Sequence, residues 1–309
     1  MFVEGVFMNA DEHGLIPICL VTGFLGSGKT TFLKQVVAKN RERKIVYLVN
    51  EFSPHDIDGA IVSKENPSVV SIPGGSIFCK CLVTEFIHQM SSIPTLFDGV
   101  EGVVIEASGM ANPKVISDML RETKLDDRYV LSHIISIVDP GSFMKLRVTL
   151  PNIVAQIEAS DSVIINKTDL YGEQVVAETE NALLEIKEDV CLYKAVDAKV
   201  ELNLFSPPVT ERVLHGDYAK CKDPNYESIT IKVDRMVDID ELRSKILAIE
   251  DDIYRLKGYL LSDRGSLFVE YTKSGFTVAP VDGNYDSAIV IIMRGDASDA
   301  SREFVAWLG

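Results

Sequence analysis

Short apolar runs recur along the first two thirds of the chain, at residues 18–21, 45–49, 69–72, 103–105, 134–138 and 163–165. Each is short enough for a strand buried on both faces, and each closes on polar residues. Between them lie stretches with helical spacing, among them 29–40 and 83–90. Strands alternating with helices predict an α/β fold, a mostly parallel sheet covered by helices on both faces. In such sheets ligands bind beyond the carboxyl ends of the strands, so the polar residues that close each run are the candidate site.

The pattern loosens across 206–226, where Pro207, Pro208, Gly216 and Pro224 stand among polar residues. A domain boundary is expected there, giving 1–222 and 223–309. The second part reads as a strand at 229–233, a helix after Asp238 with Leu242, Ile246, Leu247 and Ile249 on one face, strands ending at 288–293, and a last helix over 298–308. That is a small C-terminal α+β domain.

Composition narrows the partners. Thirty-one basic against 46 acidic residues leave a net charge of −15, which argues against a nucleic-acid or anionic-membrane surface. No apolar stretch approaches a membrane span, and five scattered cysteines form no disulfide framework. A cytoplasmic protein is expected.

The strongest chemical signal follows the first apolar run, where 16–32 reads IPICLVTGFLGSGKTTF. This is G-x-x-x-x-G-K-[ST] between a strand and a helix, the arrangement in which backbone N–H groups and a helix N-terminus cradle phosphates. Gly23, Gly26, Ser27, Gly28 and Thr31 belong to the cradle; Lys29 reaches the β and γ phosphates, and Thr30 offers its hydroxyl to Mg²⁺. The bland alternative, a glycine-rich turn with a solvated lysine, does not account for the strand and helix on either side.

Three later segments extend this reading. After the run at 163–165 come Asn166, Lys167, Thr168 and Asp169, an N-K-x-D in which the Asp169 carboxylate accepts from the N1–H and 2-amino edge of guanine; adenine has no such edge. Glu106 ends the run at 103–105 where a nucleotide-binding sheet needs a carboxylate for Mg²⁺ or its waters, and Ser108 and Gly109 follow as candidates for a γ-phosphate contact. At 74–82 the chain reads GGSIFCKCL, and Cys79 and Cys81 could ligate one borderline metal such as Zn²⁺, Co²⁺ or Ni²⁺. Glu51, with His55, Asp56 and Asp58, supplies further donors in one polar loop. A solvated acidic loop and a pair of small buried cysteines are the competing readings of these last two segments.

Taken in order, GFLGSGKTT, VNEFSPHDIDG, IEASGMANP and INKTD resemble the CobW-type metallochaperone GTPases, relatives of the accessory GTPases that insert nickel into hydrogenase and urease. Arg255-Leu256-Lys257-Gly258 is similar to the R-x-K-G segment of their C-terminal domain, so the resemblance covers most of the chain. It implies a SIMIBI-class P-loop domain, slow hydrolysis of GTP to GDP with Mg²⁺ held at Thr30 and Glu106, and a metal site linked to the nucleotide state. Expected partners are GTP and a client metalloenzyme or corrinoid protein, with homodimerisation open, and with neither nucleic acid nor membrane.

Three departures stand out. The family's C-x-C-C motif lacks one or two thiolates here: aligned on the glycine pair only Cys79 matches, and shifted by three residues Cys79 and Cys81 match while Leu82 replaces the third. Pro54 stiffens a turn that is usually flexible. The five histidines are dispersed, without the His-rich loop some members use for zinc, which tilts the expectation toward cobalt, nickel or cobalamin-related service. A GTP-hydrolysing metallocentre-assembly factor is the leading reading. The alternative is a GTP-switched protein–protein binding module with no metal transfer of its own.

Overall fold

The computed structural model describes residues 14–51, 68–73, 77–78, 82–205, 214–216, 226–273, 275–281 and 287–309. These fall into two compact units, one within Met1–Pro140 and Pro151–Ala219 and the other within Gly141–Leu150 and Lys220–Gly309.

The first unit carries a seven-stranded sheet. Its strands are β1 (Ile16–Thr22), β2 (Ile45–Glu51), β3 (Val69–Pro73), β4 (Gly102–Glu106), β5 (Tyr129–Val138), β6 (Ser162–Ile165) and β7 (Cys191–Lys194), in the order β3-β2-β4-β1-β5-β6-β7. Every neighbouring pair is parallel. Side chains alternate between the faces of a strand, and the alternation sorts the core in two. Ile18, Leu20, Val46, Leu48, Val103 and Ile105 enter one apolar cluster; Cys19, Val21, Tyr47, Val49 and Val104 enter the other.

Helices cover both clusters. On the first, α2 (Val83–Leu96) brings Phe86, Met90 and Ile93, and α3 (Val115–Glu122) brings Val115, Ile116 and Met119. On the second, α1 (Lys29–Lys39) buries Phe32, Leu33, Val36 and Val37. Each such side chain contributes roughly 1.5–3 kcal/mol by leaving water. The edge strand β7 is different: Cys191 and Lys194 are exposed, Leu192 and Tyr193 half-buried, and no apolar run announces it. Its backbone pairing with β6 makes it a strand.

Helices α4 (Pro140–Thr149), α5 (Pro151–Ala159) and α6 (Glu173–Ile186) follow in the chain, with α4 largely in the second unit. That unit is built on an antiparallel sheet of β8 (Tyr226–Lys232), β9 (Ile253–Ser262), β10 (Gly265–Thr272), β11 (Gly275–Pro280) and β12 (Ala288–Arg294), ordered β11-β10-β9-β12-β8. Two helices, α7 (Ile239–Ala248) and α8 (Asp299–Leu308), bury Leu242, Ile246, Phe304 and Leu308 against Leu256, Val269, Ile289 and Ile291. The Asp238 side chain caps α7 by accepting from the N–H groups of Asp240 and Glu241, at 2.8 and 3.0 Å. The segment 255–258 lies on β9, where Arg255 donates to Glu270 of β10 at 2.9 Å. Among the described residues, no helix is long and apolar enough to cross a membrane.

Candidate functional site

The carboxyl ends of β1, β4, β5 and β6 lie side by side, with Val21 in register with Glu106, Thr22 with Ser136, and Val138 with Ile165. The residues that follow these strands, singled out by the sequence as the polar ends of apolar runs, therefore converge on one edge of the sheet.

Gly23 leaves β1, Gly26 sits in the turn, and Gly28 caps α1 with φ 114°, in the left-handed region. A Cβ on Gly28 would meet the Asn166 amide nitrogen at 2.3 Å, so glycine is needed there for both conformation and space. Lys29 opens α1 and is 7% exposed. Its ammonium donates to the carbonyls of Gly23 and Phe24, at 2.8 and 3.2 Å, which folds it back over its own loop. Thr30 and Thr31 lie in the first turn of the helix and are half-buried.

Glu106 ends β4 and is 4% exposed. Beyond it, the Ala107 N–H donates to the Val21 carbonyl at 2.9 Å, and a Cβ on Gly109 would meet the Leu25 nitrogen at 2.7 Å. The segment after β4 is thus packed directly on the phosphate loop. Two side chains of α5 hold it from behind: Asn152 donates to the Met110 carbonyl at 2.8 Å, and Gln156 to the Ala111 carbonyl at 3.0 Å. Neither amide carries a sequence signal, because a polar residue on an otherwise apolar helix face has no motif.

Asn166, buried at 2% exposure, spans the site. Its Nδ2 donates to the Ser27 carbonyl at 2.9 Å and its Oδ1 accepts from the Ala198 N–H at 2.7 Å. Lys167 has φ 59° and pairs with Asp139, which follows β5, at 2.7 Å. Asp169 lies in a short 3-10 turn and is exposed. Thr168 anchors that turn through its hydroxyl to the Ala195 carbonyl, at 3.1 Å.

The site fits a nucleotide phosphate chain with a divalent cation. Among the described residues, the buried hydroxyls of Ser27 and Ser108 have no hydrogen-bond partner, as donors waiting for a ligand would. A Cβ would clash at Gly28 of the loop and at Gly109 of the segment packed on it. Hydroxyl, carboxylate and ammonium groups form the hard donor set that phosphate and Mg²⁺ require.

The candidate transition-metal ligands stand apart. Cys79 and Cys81 lie outside the described residues, as do His55, Asp56 and Asp58; Glu51 ends β2, and only its backbone is described. Among the described residues, no group of three His, Cys, Asp or Glu side chains could hold a metal ion. The two described cysteines are Cys19, fully buried in β1 with its thiol pushed above the usual range by burial, and the exposed Cys191.

Residues 17–193 match the family described as CobW/HypB/UreG, nucleotide-binding domain. The chain is similar to the zinc chaperone YjiA of Escherichia coli K12, 25% identical over 80% of this chain and 82% of the relative. It is also similar to the zinc chaperone YeiR of the same organism, 34% identical over 53% of this chain and 49% of the relative. The crystal structure of Zn(II)-bound YjiA GTPase from E. coli aligns with a TM-score of 0.49 and 21% identity, over 96% of this chain and 99% of that one.

Proposed function

The chain belongs to the CobW/HypB/UreG family of nucleotide-binding domains, and from that premise we propose that it is a GTP-hydrolysing metallochaperone whose nucleotide site is the loop, strand ends and N-K-x-D segment described above. It is a GTPase that works with GTP, GDP and Mg²⁺. The observation that carries the site assignment is the hydrogen bond from Asn166 to Ser27, because it joins the base-recognition segment and the phosphate loop into one site.

Bound Mg²⁺, held by Thr30 and Glu106, would neutralise charge on the phosphate oxygens. Lys29 exchanges its carbonyl partners for the β and γ phosphates and stabilises the charge that develops on the γ phosphate. The N–H groups of the loop and the N-terminus of α1 add fixed positive potential. Ser108 and Gly109, on the segment packed against the loop, would contact the γ phosphate. Asp169 selects guanine over adenine. The sequence motifs assign no lysine or arginine finger, and slow turnover is the expectation.

The relatives YjiA and YeiR carry the name zinc chaperone, and their similarity supports zinc as the cargo ahead of the cobalt and nickel that the dispersed histidines suggested. Cys79 and Cys81 are its ligands in this reading, with Glu51 as a further candidate, and a client metalloenzyme is the recipient in the cytoplasm. A second reading, a GTP-switched binding module without metal transfer, is favoured by the missing thiolates of the cysteine motif.

One experiment separates the two. Zinc, cobalt and nickel affinities of the wild type and of a Cys79→Ser, Cys81→Ser double variant are measured by titration, with and without a non-hydrolysable GTP analogue. Loss of a stoichiometric site in the double variant supports the metallochaperone. Unchanged affinity and stoichiometry leave the switch. If ATP binds as tightly as GTP, the nucleotide assignment falls.

A further inference from the structure

We infer that Gln156 and Asn152 of α5 are positioning residues for the γ phosphate: they hold three successive carbonyls of the turn after β4, so that the turn presents its N–H groups to the phosphate loop and the site tells GTP from GDP. The inference rests on the nucleotide reading above and gives a role to two residues outside every motif.

The turn is closed by the Ala111 N–H, which donates to the Ser108 carbonyl at 3.0 Å. Its next three carbonyls all go to α5. Gln156 donates to Gly109 at 3.3 Å and to Ala111 at 3.0 Å, and Asn152 donates to Met110, between them, at 2.8 Å. Residues four apart share one face of a helix, which is why two amides reach three consecutive acceptors. In a planar trans peptide the N–H points away from the C=O. Engaging the Ser108 and Gly109 carbonyls therefore turns the N–H groups of Gly109 and Met110 away from those contacts. Both residues are buried, and among the described residues neither N–H has an acceptor. Two successive N–H groups in a turn form a small anion-binding concavity. This one lies against the phosphate loop, where a Cβ on Gly109 would meet the Leu25 nitrogen at 2.7 Å.

Gln156 is 1% exposed, on a helix that also buries Ile153, Ile157 and Ala159. Leucine would fill that space, and a buried amide costs free energy unless it is hydrogen-bonded, so its worth lies in what it donates to. Gly109 makes a clamp necessary. Without a Cβ its peptide flips easily, and a flipped peptide aims a carbonyl oxygen at the phosphate. Gln156 opposes the flip, because flipping would leave the buried amide short of an acceptor. GDP has no γ phosphate to meet this turn, so the clamp bears on GTP alone.

The test compares GDP, ADP and a non-hydrolysable GTP analogue by titration calorimetry in the presence of Mg²⁺. In Gln156→Leu the analogue-to-GDP affinity ratio falls about tenfold or more, the scale of one hydrogen bond to a charged acceptor, while GDP binding stays near wild type. Ser160→Ala is the control. It removes the 2.7 Å hydrogen bond from the Ser160 hydroxyl to the Gln156 carbonyl and so loosens the same helix, but it leaves both amides in place, and its ratio matches wild type. A purely structural role lowers both affinities together in Gln156→Leu, and an unaltered ratio there overturns the inference, as does an equal fall of the ratio in Ser160→Ala. Should Gln156→Leu fail to fold, Asn152→Ala decides, because Asn152 is only half-buried near the start of the helix: a lowered ratio supports the inference and a wild-type ratio overturns it. A wild type that binds neither guanine nucleotide, or binds ADP as tightly as GDP, overturns the nucleotide reading itself; a wild type that prefers guanine nucleotides, with an unaltered ratio in Gln156→Leu, overturns this inference alone.

Discussion

The side-chain amide of Asn166 donates to the backbone carbonyl of Ser27 at 2.9 Å, across a sequence separation of 139 residues. Its oxygen accepts from Ala198 at 2.7 Å, so one buried side chain closes the end of β6, the phosphate loop and the turn after β7 on one another. Asn166→Ala leaves a buried carbonyl and a buried N–H without partners. Each such loss costs about 1–3 kcal/mol, and a lowered melting temperature, with GDP affinity reduced in step, is the expected result. Unchanged melting and GDP binding would show that the three segments hold together without it.

Alanine at the two crowded glycines separates steric from chemical effects. Gly28→Ala meets the Asn166 amide at 2.3 Å in a left-handed backbone, and Gly109→Ala meets the Leu25 nitrogen at 2.7 Å. Both move the phosphate loop, so GDP binding by calorimetry weakens in each. Gly172, whose Cβ would meet nothing within 4 Å, is the control, and Gly172→Ala binds as wild type.

Lys29→Ala removes the ammonium that donates to the loop carbonyls of Gly23 and Phe24. Hydrolysis of GTP falls roughly a hundredfold or more, the scale for losing a preorganised donor at a developing anion. Phosphate release under saturating GTP is the measurement, and a rate within threefold of wild type, roughly 0.6 kcal/mol, removes Lys29 from the mechanism.

Acid weakens the second unit through Asp252. Burial raises its carboxyl, but hydrogen bonds from the Ser298 N–H and the Ser301 hydroxyl, each 2.8 Å, outweigh this and hold it below the usual carboxylate range. Because the folded-state value is depressed, the stabilisation is present above the ordinary carboxylate range and is lost as pH falls through the folded value. Denaturant titrations from pH 7 to pH 3 therefore show a shallower loss of stability in Asp252→Asn than in wild type. Equal slopes would remove Asp252 as a source of the acid sensitivity.

Thiol accessibility separates the two described cysteines. Cys191 is exposed, whereas Cys19 is fully buried. Under native conditions Cys191→Ser lowers the count of thiols reacting with a chromogenic disulfide by one, and Cys19→Ser leaves it unchanged. Under denaturing conditions both variants lose one.

Much of the first unit was legible because parallel strands buried on both faces must be apolar throughout. β1, β4 and β6 stand out in the sequence for that reason, and the polar residues after them mark the site edge. β7 escaped, since an edge strand half in water needs no apolar run. The sequence places a helix after Asp238, and the structure has that side chain accepting from two backbone N–H groups at the start of α7. Asn152 and Gln156 were silent because their task, holding the carbonyls of the loop after β4, depends on which helix packs behind that loop.

By itself, the sequence determined the chemistry that local spacing can encode: a glycine-rich turn into Lys29 and Thr30, a carboxylate at the end of a strand, and Asn166 with Asp169 three positions on in one short motif. These are properties of neighbouring residues, and a motif is a list of neighbours. Only the tertiary structure decided that Asn166 reaches Ser27 and that Lys167 pairs with Asp139. Those choices are made by strand order and burial, which bring distant residues together and make a buried carboxylate costly to leave alone.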